Sequence, residues 1–352
     1  MRQLRQRLPG GRPVRRLNAL LRFGRAAWRA RVFVRGVAAE PARPTGVTML
    51  PFQPITEDVT SRLAACLAAQ PFRSCDYTIG AIFQWRAYFS SAVAFVGPMA
   101  ILRADYPGEG ASYMFPVGSD DPAALDAALA AVEEDAAARN LPVRYCAVPE
   151  AGVAALTARY GARVISSSHR NWADYLYHLN ELQTFPGKRF HGQRNHLNRF
   201  QKENPGSRYV PLSAASLPAA RAFLEAYARQ ANVNSPIEAE ELYRSRELLE
   251  AALPLSLRAG HVETADGTIV ALAIGEVVGD TLYVHVEKAR LDYAGAYQAI
   301  VSAFALHAAE ADTIWCNRED DSGEEGLRRS KEAYHPAAMI DKYWVTVEPE
   351  RP

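Results

Sequence analysis

The sequence predicts an α/β (α+β) protein made of two similar halves. Three observations carry that prediction: the length, the composition, and a strand–turn–helix signal that occurs twice. At 352 residues the chain exceeds one average core, and a prior of roughly 150 residues per domain asks for about two. Apolar residues make up 49% and charged residues 22%, with 22 Gly and 22 Pro. That is globular usage, and it excludes collagen-like and wholly disordered chains.

The repeat begins with Phe52-Gln53-Pro54-Ile55-Thr56 and returns as Tyr209-Val210-Pro211-Leu212-Ser213. Each reads as a strand turning into a helix: Glu57 to Ala69 in the first half, and Leu217 to Gln230 in the second, where Leu217, Phe223, Leu224 and Tyr227 recur near helical spacing. Further on, Tyr113-Met114-Phe115-Pro116-Val117 and Tyr283-Val284-His285-Val286-Glu287 read as strands. Each precedes a helix, Pro122 to Arg139 and Tyr297 to Glu310, and then a strand carrying Cys146 or Cys316. The same order in both halves points to a duplicated unit.

Charge divides the chain differently. Residues 1–47 carry 12 Arg, no Lys and the single acid Glu40, so an overall net charge of +1 leaves the remainder acidic. Residues 1–48 are expected to be a basic tail. The readings open for it are a disordered extension, an overlong start ahead of Met49, or an arm for anionic lipid or nucleic acid with Leu17 to Phe33 as a surface helix. Arg22, Arg25, Arg29 and Arg31 break its apolar core, against a secretory signal. The longest apolar stretch, Ala92 to Leu102, is broken by Gly97 and Pro98 and falls short of the ~20 residues a spanning helix needs. Cys66, Cys75, Cys146 and Cys316 have no CxxC spacing, so neither disulfides nor a zinc site is expected, and a reducing cytoplasm fits.

Between the halves, Gly187 to Lys202 holds five Lys or Arg, two His and no acid. Phe190, Leu197 and Phe200 share one helical face, leaving Lys188, Arg189, Arg194, Arg199 and Lys202 for a phosphate-bearing partner. The alternative is a solvated linker helix.

Several separated motifs carry a resemblance. They are Pro71-Phe72-Arg73-Ser74-Cys75-Asp76-Tyr77-Thr78 with Phe83 and Trp85; Gly187-Lys188-Arg189-Phe190-His191 leading to Arg194-Asn195-His196-Leu197-Asn198-Arg199-Phe200; His285-Val286-Glu287-Lys288-Ala289; Tyr293-Ala294-Gly295-Ala296-Tyr297-Gln298; and Asn317-Arg318-Glu319-Asp320-Asp321 through Arg328, Lys331 and Tyr334-His335-Pro336. From about Leu50 to Trp344 the chain resembles the bacterial family related to the soluble C-terminal domain of phosphatidylglycerol lysyltransferase. The resemblance implies two tandem acyltransferase domains of the N-acetyltransferase type, each a mixed, mostly antiparallel sheet flanked by helices. The expected division is 49–185, a basic helix at 186–205, and 206–348 carrying the active site. It also implies transfer of an aminoacyl group from charged tRNA to a lipid headgroup or a soluble acceptor, with no cofactor, in the cytoplasm or peripherally at the inner face of the membrane.

In that fold a helix N-terminus after a splayed strand holds the donor's phosphates. Here the place is Leu282 to Lys288 followed by Tyr293, Gly295 and Tyr297. Asp292 stands where a cation or amide is usual, which weakens acyl-coenzyme A, the alternative donor. His285 and Glu287 alternate with Val284 and Val286, so a regular strand would point both to one face as a catalytic pair; a structural ion pair with Lys288 is the alternative. Asn317, Glu319 and Asp321 alternate likewise and are expected to hold the donor's ammonium group, with Asn317, Glu319 and Asp320 reading the amino acid and Arg318 a further substrate contact, or else the run caps the next helix. Arg328 and Lys331, one helical step apart, are expected to face a phosphate. Arg73, Asp76, Tyr77 and Trp85 form a substrate contact or a buried Arg–Asp pair under an aromatic lid. HExxH, GxSxG and P-loop patterns are absent, and no metal site is expected. A third reading is a non-catalytic module that docks nucleic acid or anionic lipid.

Overall fold

The computed structural model describes residues 49–230 and 236–350; the Arg-rich tail lies outside the described residues. The first half runs β1 (Gln53–Pro54), α1 (Glu57–Ala68), α2 (Ile79–Trp85), β2 (Ala92–Val96), β3 (Met99–Tyr106), β4 (Gly110–Met114), α3 (Pro122–Ala138), β5 (Val143–Val148), α4 (Glu150–Tyr160) and β6 (Val164–Ser168). A middle stretch follows: β7 (Asp174–His178), α5 (Leu179–Thr184) and α6 (His191–Glu203). The second half is β8 (Arg208–Pro211), α7 (Leu217–Gln230), α8 (Pro236–Ala251), β9 (Arg258–Glu263), β10 (Ile269–Val278), β11 (Thr281–Ala289), α9 (Ala296–His307), β12 (Trp315–Asn317), α10 (Glu325–Glu332), β13 (Ala338–Ile340) and β14 (Tyr343–Val347).

Two seven-stranded sheets result, ordered β1-β2-β3-β4-β5-β14-β6 and β8-β9-β10-β11-β12-β7-β13. They match position for position. In each, one parallel pair, β4–β5 or β11–β12, sits among antiparallel neighbours. The repeated Tyr and Cys residues mark those pairs, with Met114 opposite Cys146 and Tyr283 opposite Asn317, next to Cys316.

The sheets do not part at the basic helix. β7, before it, pairs with β12 and β13 in the second sheet. β14, at the far end of the chain, lies between β5 and β6 in the first. Each sheet therefore takes its sixth strand from beyond the expected boundaries at 185 and 206, and the halves are interlocked by backbone hydrogen bonds. A pattern of alternating residues sets a strand's faces but not its neighbour, so this exchange has no local signal.

Local chemistry sets several ends. Asp121 caps α3, its Oδ1 accepting from Ala123 N at 3.0 Å, with Pro122 in the first turn. α6 buries Phe190 and Phe200 and half-buries Leu197, the face expected from their spacing, and packs them with α9. The second sheet is thus covered by α5, α6 and α9 on one side, and by α7, α8 and the first half on the other. All four cysteines are free and buried.

Candidate active site

β11 and β12 are paired only from Thr281–Trp315 to Tyr283–Asn317, while β11 continues to Ala289. Past that point the strands diverge and leave a wedge between them. β11 also carries a bulge: Ile274 and Gly275 of β10 face Val286 and Val284, which makes His285 the extra residue.

The bulge reverses the alternation. Leu282 and Val284 face α9, and so does Glu287, whereas Tyr283 and His285 face the first half. The expected His285–Glu287 pair is therefore not made. His285 is instead held between two carboxylates, Nε2 at 2.9 Å from Glu276 Oε1 and Nδ1 at 2.8 Å from Glu319 Oε1. Burial works against its charge, but the bonds to Glu276 and Glu319 prevail and raise its pKa to about 9. An imidazolium fixed on both nitrogens is not a base at neutral pH. Gly80 packs on its ring, where a Cβ would clash, and Gly80 N–H donates to Glu276, joining the N-terminus of α2 to the same site. The alternative pairing with Lys288 is also absent, since Lys288 Nζ lies 2.8 Å from Glu241 Oε2.

Glu287 pairs with Arg318, Nη2 to Oε1 at 2.7 Å, inside the wedge. The guanidinium lies 4.5 Å from the Tyr334 ring and 5.7 Å from that of Tyr177. A cavity of about 10 Å³ adjoins the pair, its other walls including Leu182, Leu282, Val284, Phe304 and Cys316.

The other acids after β12 are engaged with protein groups. Asn317 Nδ2 donates to Arg73 O at 2.7 Å and to Asp174 Oδ2 at 2.9 Å. Lys342 is 6% exposed and reaches Asp174 at 2.8 Å, Asp76 at 2.9 Å and Asp320 at 3.1 Å. Arg328 and Lys331 do not face a phosphate position. Arg328 grips Asp321 through Nε at 2.9 Å and Nη2 at 2.8 Å, and buried Lys331 donates to the carbonyls of Arg318, at 2.6 Å, and Asp320. Asp321 also accepts from Gly323 N–H at 2.9 Å within the loop, but α10 begins after Glu324 with no side-chain cap, so the helix-capping alternative is not made. Burial pushes the Lys331 ammonium below its ordinary value, and its carbonyl partners fix the loop's shape.

In the first half Arg73 pairs with Asp280 through Nε at 3.0 Å, not with Asp76, which belongs to Lys342. Tyr77 is wholly buried and its hydroxyl accepts from Phe115 N–H, while Trp85 packs on Tyr88 and Phe89. Among the described residues one group has metal-ligand spacing: Cys75, Asp76 and Asp174, with ligand atoms within 4.8 Å of one another. The Lys342 ammonium sits against all three, 3.6 Å from Cys75 Sγ, and supplies the cation itself.

The open feature is a cleft of about 300 Å³ at the start of α9, lined by Tyr293, Gly295, Tyr297, Arg290, His196 and Arg199 among others. Here the structure brings the expected donor loop and the basic helix together. Gly295 has φ +84° and no side chain caps α9; Ala296 N–H donates to the Tyr293 carbonyl at 3.0 Å, and Gly295 to Gln298 line the cleft. A Cβ on Gly295 would run into the His196 carbonyl, so only glycine lets α6 come this close. Asp292 is paired with Arg290, Nε to Oδ1 at 3.0 Å, which removes the repulsion expected of it. The matching helix of the first half, α3, has its N-terminus occupied by Asp121.

In the turn before α6 Lys188 is exposed, as are Arg199 and Lys202 on the helix, Arg199 beside Glu203 at 2.7 Å. Arg189 pairs with Glu181, and Arg194 donates to the carbonyls of Phe185 and Gly187, holding the end of α5. Sequence reasoning passed over Glu276, Lys342, Asp174 and Arg290, and gave Tyr334 no role beyond its place in a motif. An acid in the otherwise apolar stretch Ile269–Val278 is the one signal that could have flagged Glu276.

Among solved structures, a conserved protein of unknown function from Bacteroides thetaiotaomicron VPI-5482 is 31% identical, with a TM-score of 0.76 over 85% of this chain and 100% of its own. The structure of L-PGS from Bacillus licheniformis has the same fold at 15% identity, with a TM-score of 0.57 over 83% of this chain and 92% of that one. An uncharacterized protein of Mycoplasmoides gallisepticum is 24% identical over 192 residues, 54% of this chain, and the match spans 60% of that relative's length. A family model described as phosphatidylglycerol lysyltransferase, C-terminal, matches residues 68–346. That match spans both sheets and the basic helix, and the chain accordingly belongs to the phosphatidylglycerol lysyltransferase C-terminal family, with the tandem acyltransferase fold.

Proposed function

We propose that the protein is an aminoacyltransferase that takes its aminoacyl group from charged tRNA and passes it to a lipid headgroup or a soluble acceptor. One observation carries the reading: the cleft where uncapped α9, Arg290, and His196 and Arg199 of the basic helix converge. A helix N-terminus flanked by cations binds a phosphate-linked donor end. Lys188 and Lys202, exposed on the same segment, extend that charge along a longer polyanion. The donor's ester would lie toward the wedge between β11 and β12, next to Arg318 and Glu287. The reaction written this way needs no cofactor. Among the described residues no helix is long and apolar enough to cross a membrane, so a lipid acceptor would be met at the membrane surface.

The test is a transfer assay with labelled aminoacyl-tRNAs and a total lipid extract, with Arg199→Glu/Arg290→Glu as the control. Label moving to the organic phase, and lost in the variant, supports lipid acylation; label moving to added soluble amines names the other acceptor class. Label remaining on tRNA in both arms refutes the reading. A second reading, acyl-coenzyme A as donor, is favoured by one observation, the Asp292–Arg290 pair that leaves the α9 N-terminus free of repulsion. Saturable binding of acetyl-coenzyme A that Gly295→Ala abolishes would support it.

A further inference from the structure

We propose that Arg318 receives the acyl carbonyl oxygen of the donor during transfer, and that Glu287 is the residue that positions it. The inference deepens the transfer reading and rests on it. Arg318 follows Asn317, the last paired residue of β12, so its side chain enters the wedge where the strands part. Nη2 is held by Glu287 at 2.7 Å, and Nη1 is buried without a hydrogen-bond partner. The side chain as a whole is 10% exposed. A buried N–H left unpaired is costly, more so when it is charged, and such groups are uncommon in folded proteins.

The surroundings fit an incoming oxygen. The adjoining cavity is about 10 Å³, and apart from Arg318 and Glu287 its walls include apolar groups such as Leu282, Val284 and Phe304. That is the space of one water-sized atom. In so dry a site a donor aimed at developing negative charge acts more strongly than it would in water. Tyr334 stands between the two spaces: its ring lies against the Arg318 guanidinium, and the same residue lines the open cleft. A donor seated in the cleft has its ester end beside Tyr334, whose ring centroid is 4.5 Å from Arg318 Cζ, and in the proposal this ring turns aside to let the ester oxygen reach Nη1.

In the transfer, the acceptor's hydroxyl or amine attacks the ester carbonyl carbon. The carbonyl electron pair moves onto oxygen, which lies against Nη1. When the carbonyl re-forms, the bond to the ribose oxygen breaks, and the ribose hydroxyl leaves with the proton given up by the acceptor. Glu287 neutralises Arg318 in the resting state and fixes its plane.

The deciding variant is Arg318→Met/Glu287→Met. Removing both members of a buried pair spares the fold the cost of a lone charge, so its thermal midpoint should stay near that of the parent. We expect kcat/KM to fall about 10²–10³-fold, up to about tenfold of it as a raised donor KM, because Arg318 also holds the acyl oxygen of the bound donor. A folded double variant whose kcat stays within about threefold of the parent overturns the proposal. A binding arm separates this from failure of the transfer reading. The parent should bind an amide-linked 3′-aminoacyladenosine about tenfold tighter than 3′-amino-3′-deoxyadenosine, a gap of roughly 1.4 kcal/mol, and the double variant should bind the two alike. Equal binding of both by the parent overturns the role of Arg318 while leaving the cleft intact. If neither compound binds and no transfer occurs, the reading beneath it falls, and the proposal with it.

Discussion

Raising the pH from 7 to 10 should destabilise this protein through one residue, His285. Its imidazolium is wholly buried between Glu276 and Glu319, and its folded pKa is raised to about 9 from an ordinary 6.5. A raised pKa means the folded state binds the proton more tightly. The stabilisation is fully present below pH 6.5 and is lost as the pH rises through 9. A gap of this size is worth about 3 kcal/mol at low pH, most of which remains at pH 7 and almost none at pH 10. The assay is urea denaturation at pH 6, 7, 8, 9 and 10 and constant ionic strength, on the parent and on His285→Gln. Other groups that titrate in this window contribute to both proteins, so the difference between the two profiles isolates His285. The gap should shrink by about 2–3 kcal/mol between pH 7 and 10. Profiles that run parallel to within about 0.5 kcal/mol would show that His285 is neutral in the folded protein, and the reasoning would be wrong.

Gly295→Ala should cost about 2–4 kcal/mol by chemical denaturation, combining a left-handed backbone with a side chain forced against α6, and should weaken donor binding in the cleft. Lys342→Met leaves Asp76, Asp174 and Asp320 facing one another in the joint between the halves; a loss of about 3–5 kcal/mol is expected, and a stability change under 1 kcal/mol would count against the ion cluster. Replacing Lys188, Arg199 and Lys202 by Glu should lower the slope of log affinity for tRNA against log salt by about 2–3. An unchanged slope would remove α6 from the interface.

The duplication was legible because it is written locally. Phe52 to Thr56 and Tyr209 to Ser213 open the two halves, Tyr113 and Tyr283 mark equivalent strands, and α7 begins where its apolar spacing says. The donor cleft was legible in part. Gly295 and its two tyrosines were readable as a loop before a helix, but His196 and Arg199 join them only because α6 packs onto α9. Arg328 and Lys331 illustrate the opposite case. Their spacing is right for a phosphate, yet Asp321 and the carbonyls of Arg318 and Asp320 lie nearer than any solvent-borne anion.

By itself, then, the sequence determined the two halves, the basic helix on its apolar stripe and the absence of disulfides, since each follows from residue type and spacing along a few turns or strands. Tertiary structure decided the strand exchange of β7 and β14 and the parting of Glu287 from His285. A strand's partner depends on groups far off in the chain. A single extra residue in β11 is invisible until β10 supplies the ladder it interrupts, and the period of two then turns every later side chain to the other face.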